Sequence, residues 1–433
     1  MVYVLLDGVG DLPHADLGGR TPLEAASTPA LDAIASNGAS GRVISVGKGI
    51  APESDIAVFN MLGYKFSHAD YAGRGVIEAI GIGIDFADGD LALRGNFATL
   101  DRSNNDNVIT DRRAGRYIEP ADSEAISREL EENVRFSDPR TSVKVSPTIG
   151  HRVTVRLRRG GGRPYSAKIS NTDPAYTNIG GMGVAKAVAD FMKVERCVPL
   201  DGSDEAAAAA DATNGFSEQA ISIMRGSRIN AARVAAGKKE LSCILLRDAG
   251  SKYPRVKPIN QRYGMNFSCI VDMPVEIGIS KVLRMKAFEA GGLTDYEEKA
   301  RAASEAMETQ NAIYVHIKGP DEFGHDGDAV GKKENIEEID RRFFARLLDG
   351  IDTSRTAVVI SADHSTPCIN HGHSDDPVPV VISHDGIPGD GTTRMTEPQA
   401  ARGRIGMLAG ADVVPTALGM LRRIAQRKAP RLD

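Results

Sequence analysis

Three short clusters of aspartate and histidine carry the chemistry that can be read from this chain. Residues 358–373, VVISADHSTPCINHGH, run a short apolar segment straight into Asp363 and His364, with His371 and His373 close behind. Residues 312–317 lead to Asp321 and His325 within KGPDEFGHDGD, and residues 2–6 lead to Asp7 in VYVLLDGVGD, with Asp11 following. An apolar run bounded by polar turn residues is the pattern of a buried strand in a parallel sheet. Such sheets present their functional groups at the carboxyl ends of their strands. One Asp-Gly alone is more commonly a turn than a ligand. Aspartates at three strand ends, with histidines beside them, form a constellation suited to transition metals.

Were Asp7, Asp321 and Asp363 to converge without cations, each would raise the pKa of the others and strain the fold. Two divalent cations bring four positive charges against three negative ones and leave a pocket suited to a phosphoryl group. Mixed imidazole and carboxylate ligands favour Mn, Zn or Co over Ca, with Mg less natural. Two adjacent cations can clamp the attacking and leaving oxygens of an in-line displacement. The nucleophile candidate is Ser54 in APESDIAVFNMLGY, where an apolar helical stripe follows Pro52 and Glu53. Ser54 or Asp55 there either caps the helix or sets a hydroxyl at its positive end, where a cation can activate it. Arg112, Arg113 and Arg116 in DRRAGR make a dense cationic group. Such runs are usually solvated faces; lining a cleft, they recognise phosphate and carboxylate bidentately.

The elements that must position these groups follow an α/β rhythm at both ends of the chain. With 433 residues, two domains are expected. Thr28-Pro29 predicts a helix ending at Gly38, residues 91–100 a strand, and YAGRGVIEAIGIGI a segment packed beside the Ser54 helix. Residues 120–250 differ in texture: helices at 123–133, 205–212 and 229–237, a strand at 151–157, and few metal-type residues. The predicted architecture is therefore α/β. A core from residues 1–95 and 255–433 carries a mainly parallel central sheet flanked by helices, and residues 96–254 form a smaller inserted α+β domain. Strands at 265–271, 312–317, 358–361 and 378–382 and helices at 277–283, 297–307, 334–348 and 411–420 complete the core. IGGMGVA at 179–185 follows no apolar strand, so no nucleotide is expected.

Composition narrows the function. The chain is 41% hydrophobic and 26% charged with net charge −5, and no basic block points to nucleic acid or an anionic membrane. Residues 2–6 are too short for a signal peptide or a membrane span. Four scattered cysteines read as free thiols in a reducing cytoplasm.

Beyond these physical readings, the chain resembles the cofactor-independent phosphoglycerate mutases, in their archaeal-type branch of the alkaline phosphatase superfamily. The matching pieces are LLDGVGD, PESDIAVFNMLGY, YAGRGVIEAIG, RGNFAT, ITDRRAGR, KGPDEFGHDGD, ISADHSTP and HGHSDDPVPVVI, which span nearly the whole length. The resemblance implies an alkaline phosphatase-like core. It also implies interconversion of 3-phosphoglycerate and 2-phosphoglycerate through a phosphoserine, with two divalent cations (manganese first; zinc, cobalt or magnesium as others) and no bisphosphoglycerate. It assigns Asp321, His325 and His373 to one cation and Asp7, Ser54, Asp363 and His364 to the other, Ser54 being the phosphorylated nucleophile. His316 and His371 fall outside that ligand set. Arg112, Arg113, Arg116, His151 and Arg247 are implied to meet the substrate, and Asp173 lies in the matching ISNTDPAY. The partner is thus a small phosphorylated acid, and a homo-oligomer stays open. The inserted domain is implied to act as a lid that excludes water. Two departures stand out: Glu53 before the nucleophile, where a small residue is usual, and Asp248 in LLRDAG, where glycine is expected. The rival readings are a phosphatase or another phosphomutase on the same core, and a metal-binding protein without catalysis.

Overall fold

A computed structural model of the chain describes residues 1–65, 73–103, 107–179, 182–185 and 192–428. Two compact units emerge: Met1–Phe66 with Lys257–Glu276 and Leu283–Asp433, and Ser67–Val256 with Ile277–Val282.

The first unit is built on an eight-stranded sheet. Its order is Lys286–Ala287, Phe267–Ile270, Ala312–Ile317, Val2–Leu6, Val358–Ala362, Val378–Ser383, Gly38–Ile44, Gly406–Ala409. All neighbours run parallel except around Val378–Ser383, which is antiparallel on both sides. The central strand Val2–Leu6 and its two neighbours are buried along their whole lengths, as their unbroken apolar runs require. Leu6 is in register with both Ile317 and Ala362, so Asp7, Lys318 and Asp363 leave the sheet at one edge.

Two outer strands were not expected: in Gly38–Ile44 the sequence GASGRVI reads as turn material, and Gly406–Ala409 is only four residues long. Gly38 opens a strand, so the helix Pro29–Ser36 ends on Asn37, and Thr28 makes no side-chain cap. The long helix expected at 334–348 is Ala329–Ile339, then a π-turn at Asp340–Phe344, then Ala345–Gly350. The closing helix runs Val413–Lys428. Among the described residues no helix is long and apolar enough to cross a membrane.

The second unit is an antiparallel sheet backed by helices. Its strand Leu91–Leu100 pairs with Arg152–Arg158, Cys243–Gly250 and Ile109–Asp111, and Ser142–Pro147 lies beyond Arg152–Arg158. Ile126 and Leu130 of helix Pro120–Asn133, and Phe216, Ala220 and Met224 of helix Asp204–Gly226, share a core with Leu93, Phe97, Val155 and Leu246. That last helix outruns the alanine-rich stretch because its buried residues keep helical spacing through Asn214-Gly215.

The unit boundary is a correction. Helix Arg74–Gly81 packs on the second unit's sheet, so the boundary falls at 66/67 instead of 95/96. Gly75 allows this approach, since a Cβ there would stand 2.6 Å from the carbonyl oxygen of Ala92. Residues 66–72, including the start of YAGRG, lie outside the described residues, as do 180–181 of IGGMGVA.

Candidate active site

Two of the site's acidic residues owe their places to strand ends and the third to the helix that follows one. Asp7 follows Val2–Leu6 and Asp363 follows Val358–Ala362, while Asp321 and His325 sit one turn apart in helix Pro320–Asp326. Gly8 makes the close approach feasible. Its φ is +59°, and a Cβ would come within 2.5 Å of Thr366 Oγ1 and 2.7 Å of Asp321 Oδ1. Gly8 N–H also donates to Asp363 Oδ1 at 3.1 Å, which turns Oδ2 inward. Asp11 is engaged elsewhere, by Lys332 Nζ at 2.8 Å.

His325, His364 and His373 are among the imidazoles that present Nε2 to these carboxylates. His373 Nδ1 donates to the carbonyl of Pro52 at 2.7 Å, and His325 Nδ1 to the carbonyl of His371 at 3.1 Å. Thr366 Oγ1 gives its proton to Asp321 Oδ1 at 2.6 Å, so it accepts from His364 Nδ1 at 3.0 Å. With each Nδ1 donating, Nε2 is the ring nitrogen left to meet a cation, the arrangement of metal-bound histidine, although on His373 it must first give up a proton. His371 serves through its backbone carbonyl.

These groups fit cations. His325 Nε2 and His373 Nε2 are 3.2 Å apart, and they stand 3.5 and 3.4 Å from oxygens of Asp321. Donors at about 2.1 Å from a tetrahedral ion lie about 3.4 Å from one another. In a second group His364 Nε2 lies 3.6 Å from Asp7 Oδ1 and 3.3 Å from Asp363 Oδ2. Both of those oxygens are buried without a hydrogen-bond partner, which is costly unless a cation meets them. These clusters of Asp and His are candidate sites for divalent cations.

Ser54 is the first residue of helix Ser54–Met61, and Glu53 takes the cap position. The helix is buried on all sides, not along one stripe. Ser54 makes no cap; its Oγ lies 3.2 Å from His364 Nε2.

Electrostatics follow the crowding. Burial and the neighbouring Asp7 push the Asp363 carboxyl up to about 7. Burial would also raise Asp7, but Lys318, His316 and His364 hold it well below the carboxylate range. Burial and His373 hold His364 down at about 3. Burial opposes protonation of His373, yet Asp321 and Glu53 lift it to about 9. Sequence reasoning missed Lys318, whose Nζ lies 2.9 Å from Asp7 Oδ2 and 2.6 Å from Glu276 Oε1. Its signal was position, one residue past a strand that ends in register with Leu6. Glu276 had no signal.

The second unit gathers arginines. Fully buried Asp173 accepts two hydrogen bonds from Arg112 Nη2, both 2.8 Å, and one from Arg247 Nη1 at 3.1 Å. Both guanidinium groups also lie over the Tyr176 ring. Arg247 continues to Asn96 Oδ1 at 3.3 Å and Asp248 Oδ2 at 3.6 Å. Arg94 and Arg74 share Glu78 at 3.1 and 3.0 Å, and Arg94 approaches Asp248 at 3.8 Å. Burial, Arg94 and Arg74 lower Arg152 to about 10. Asp248 has φ +58°, which explains the glycine expected there. Of the predicted substrate residues, Arg112, Asp173 and Arg247 therefore meet. Arg113 and Arg116 are exposed on a turn, and His151 Nδ1 lies 3.3 Å from the Arg116 carbonyl. Burial and Arg152 hold His151 at about 3, a neutral ring. Arg74, Arg94 and Arg152 were not foreseen.

Comparison with known proteins agrees with this geometry. The family model of 2,3-bisphosphoglycerate-independent phosphoglycerate mutase matches residues 35–230. A 2,3-bisphosphoglycerate-independent phosphoglycerate mutase of Aeropyrum pernix is 38% identical over 97% of this chain and 99% of its own. The PH0037 protein of Pyrococcus horikoshii superposes with a TM-score of 0.77 at 26% identity, covering 98% of this chain and 97% of that one. The cofactor-independent phosphoglycerate mutase of Thermoplasma acidophilum gives 0.62 at 29% identity, covering 97% and 98%. With a strand-end aspartate cage, a helix-borne serine and relatives matched end to end, the chain belongs to the 2,3-bisphosphoglycerate-independent phosphoglycerate mutase family.

Proposed function

We propose that the chain interconverts 3-phosphoglycerate and 2-phosphoglycerate through a phosphorylated Ser54, without bisphosphoglycerate. The observation that carries this is the Ser54 hydroxyl, at the start of a buried helix and 3.2 Å from His364 Nε2 beside the aspartate cage. Asp321, His325 and His373 would hold one divalent cation, and Asp7, Ser54, Asp363 and His364 the other; manganese suits the mixed donors, as do zinc and cobalt, and magnesium less well. When bound, the cations supply Lewis-acid stabilisation of phosphoryl charge and a lowered serine pKa.

The chain's own residues do the rest. Ser54 Oγ forms a bond to phosphorus as the bond from phosphorus to the substrate oxygen breaks. The proton lost by the serine is balanced by the one the glycerate hydroxyl regains. Backbone N–H groups in the first turn of helix Ser54–Met61 favour the phosphoserine dianion. Glycerate reorients, its other hydroxyl attacks the phosphoserine, and Ser54 is restored. Arg112 and Arg247, pre-oriented by Asp173, hold the anionic ends of the substrate, with Arg113, Arg116 and neutral His151 adding contacts. Four buried free cysteines accord with a reducing cytoplasm.

The test is a mutase assay on 3-phosphoglycerate with no bisphosphoglycerate added, run before EDTA, after it, and after manganese is restored. Activity lost and regained supports the reading. Release of inorganic phosphate without 2-phosphoglycerate overturns it in favour of a phosphatase.

A further inference from the structure

His316 lies on the strand Ala312–Ile317 and is fully buried. Its Nε2 has no hydrogen-bond partner. It faces Asp7 Oδ1 at 3.8 Å and Asp363 Oδ2 at 3.7 Å, the same two oxygens that lack hydrogen-bond partners of their own. Those separations are too long for hydrogen bonds. Three donors spread around one cation at about 2.1 Å, near 120° apart, lie about 3.6 Å from one another.

The other face of the ring agrees. His316 Nδ1 lies 2.8 Å from the Tyr314 hydroxyl and 3.5 Å from Glu276 Oε1. With the Nδ1 proton directed to either acceptor, the Nε2 lone pair points at two carboxylate oxygens. A cation between them turns that repulsion into ligation, and the buried acceptor behind the ring is the support metal-bound histidines have. Asp7 Oδ1 and Asp363 Oδ2 thus lie between two imidazoles, His364 on one side and His316 on the other.

We infer that His316 is a further ligand of the cation held by Asp7, Asp363 and His364. That gives the second cation two imidazoles, as the first has in His325 and His373, and biases both sites toward manganese, cobalt or zinc over magnesium. The inference rests on the two-cation reading, and its test separates the two.

The unmodified protein is crystallised with manganese and the ions are located by anomalous scattering. A manganese ion within about 2.3 Å of His316 Nε2 is the expected result. Two ions, both more than 3 Å from His316, would overturn the inference and leave the two-cation reading standing. No ion beside Asp7 and Asp363 would overturn both. In solution, His316→Gln in metal-depleted protein should bind one of two manganese equivalents about 10- to 100-fold more weakly, and its preference for manganese over magnesium should narrow. Unchanged affinity for both equivalents would count against His316 as a ligand. Should that variant fail to fold, the crystal measurement decides alone.

Discussion

In the first unit Asp7, Asp321 and Asp363 crowd together at one sheet edge, and two of their oxygens have no hydrogen-bond partner. In the second, one buried carboxylate, Asp173, is shared by Arg112 and Arg247 and fully met by them. The first arrangement is an incomplete one that cations would finish. The second is a finished scaffold in which arginines and carboxylates pair off, Arg74 and Arg94 with Glu78 and Arg112 and Arg247 with Asp173. Buried charge therefore means opposite things in the two units. One stores a demand for ligands, and the other stores rigidity.

The contrast breaks most visibly at Ser54. Ser54→Ala should lower kcat for mutase turnover by about 10⁴-fold or more, while the thermal unfolding of the second unit stays where it was. A residual activity within tenfold of the natural protein would remove Ser54 from the chemistry.

Next comes the loss of one carboxylate from each unit. Asp173→Asn leaves the buried guanidinium of Arg247 and the half-buried one of Arg112 underpaired and should destabilise the second unit by about 3–5 kcal/mol, read from denaturant unfolding. Asp363→Asn should do the reverse in metal-free protein. The Asp363 carboxyl is pushed up to about 7, so the folded state holds its proton more tightly than the unfolded chain does. Metal-free stability therefore falls as pH rises from about 4 through about 7. Asn cannot ionise, so at pH 8 the metal-free variant should melt higher than its parent, and the manganese-loaded variant lower. Equal shifts in both units would erase the distinction.

The third effect is a pH dependence of metal uptake. His373 is raised to about 9 without metal, so between pH 7 and 9 a cation must displace its proton. Apparent manganese affinity should rise by about tenfold per pH unit over that window and level off above it. Isothermal titration in two buffers of different ionisation heat would count the released proton. In the metal-free protein the same group contributes stability that is fully present below about pH 6.5 and lost as pH rises through about 9.

The smallest effect belongs to the exposed turn. Arg116→Ala should raise KM for 3-phosphoglycerate a few-fold, with stability changed by less than about 0.5 kcal/mol.

How much of this was legible depended on whether a residue's partner lay nearby in sequence. Asp7, Asp363 and Asp321 were readable because apolar runs announce buried parallel strands and the aspartates stand just past them. Gly38–Ile44 and Gly406–Ala409 were not, because their strand character comes from sheet neighbours and not from their own side chains. Helix Asp204–Gly226 was cut short by the Asn-Gly pair in its middle, which tertiary packing of Phe216 and Met224 overrides. Lys318 meets Asp7 across 311 residues and Glu276 across 42, and Arg94 joins the Arg74–Glu78 pair of one helix only after that helix has packed on the sheet. Ser54 was placed correctly as a helix start, yet the cap itself fell to Glu53. The resemblance supplied the roles of these groups; the geometry supplied their hydrogen-bonding states.

Asp248 keeps a left-handed backbone, a posture glycine would adopt at less cost, while its carboxylate stands beside Arg94 and Arg247. A glycine in its place would relax the chain and strip one negative charge from the arginines, tightening their hold on any anion. Where those arginines take the substrate's anionic ends, as proposed, the strained aspartate would act as a restraint on grip, and a protein that must surrender its product at every cycle would gain speed from holding it less firmly.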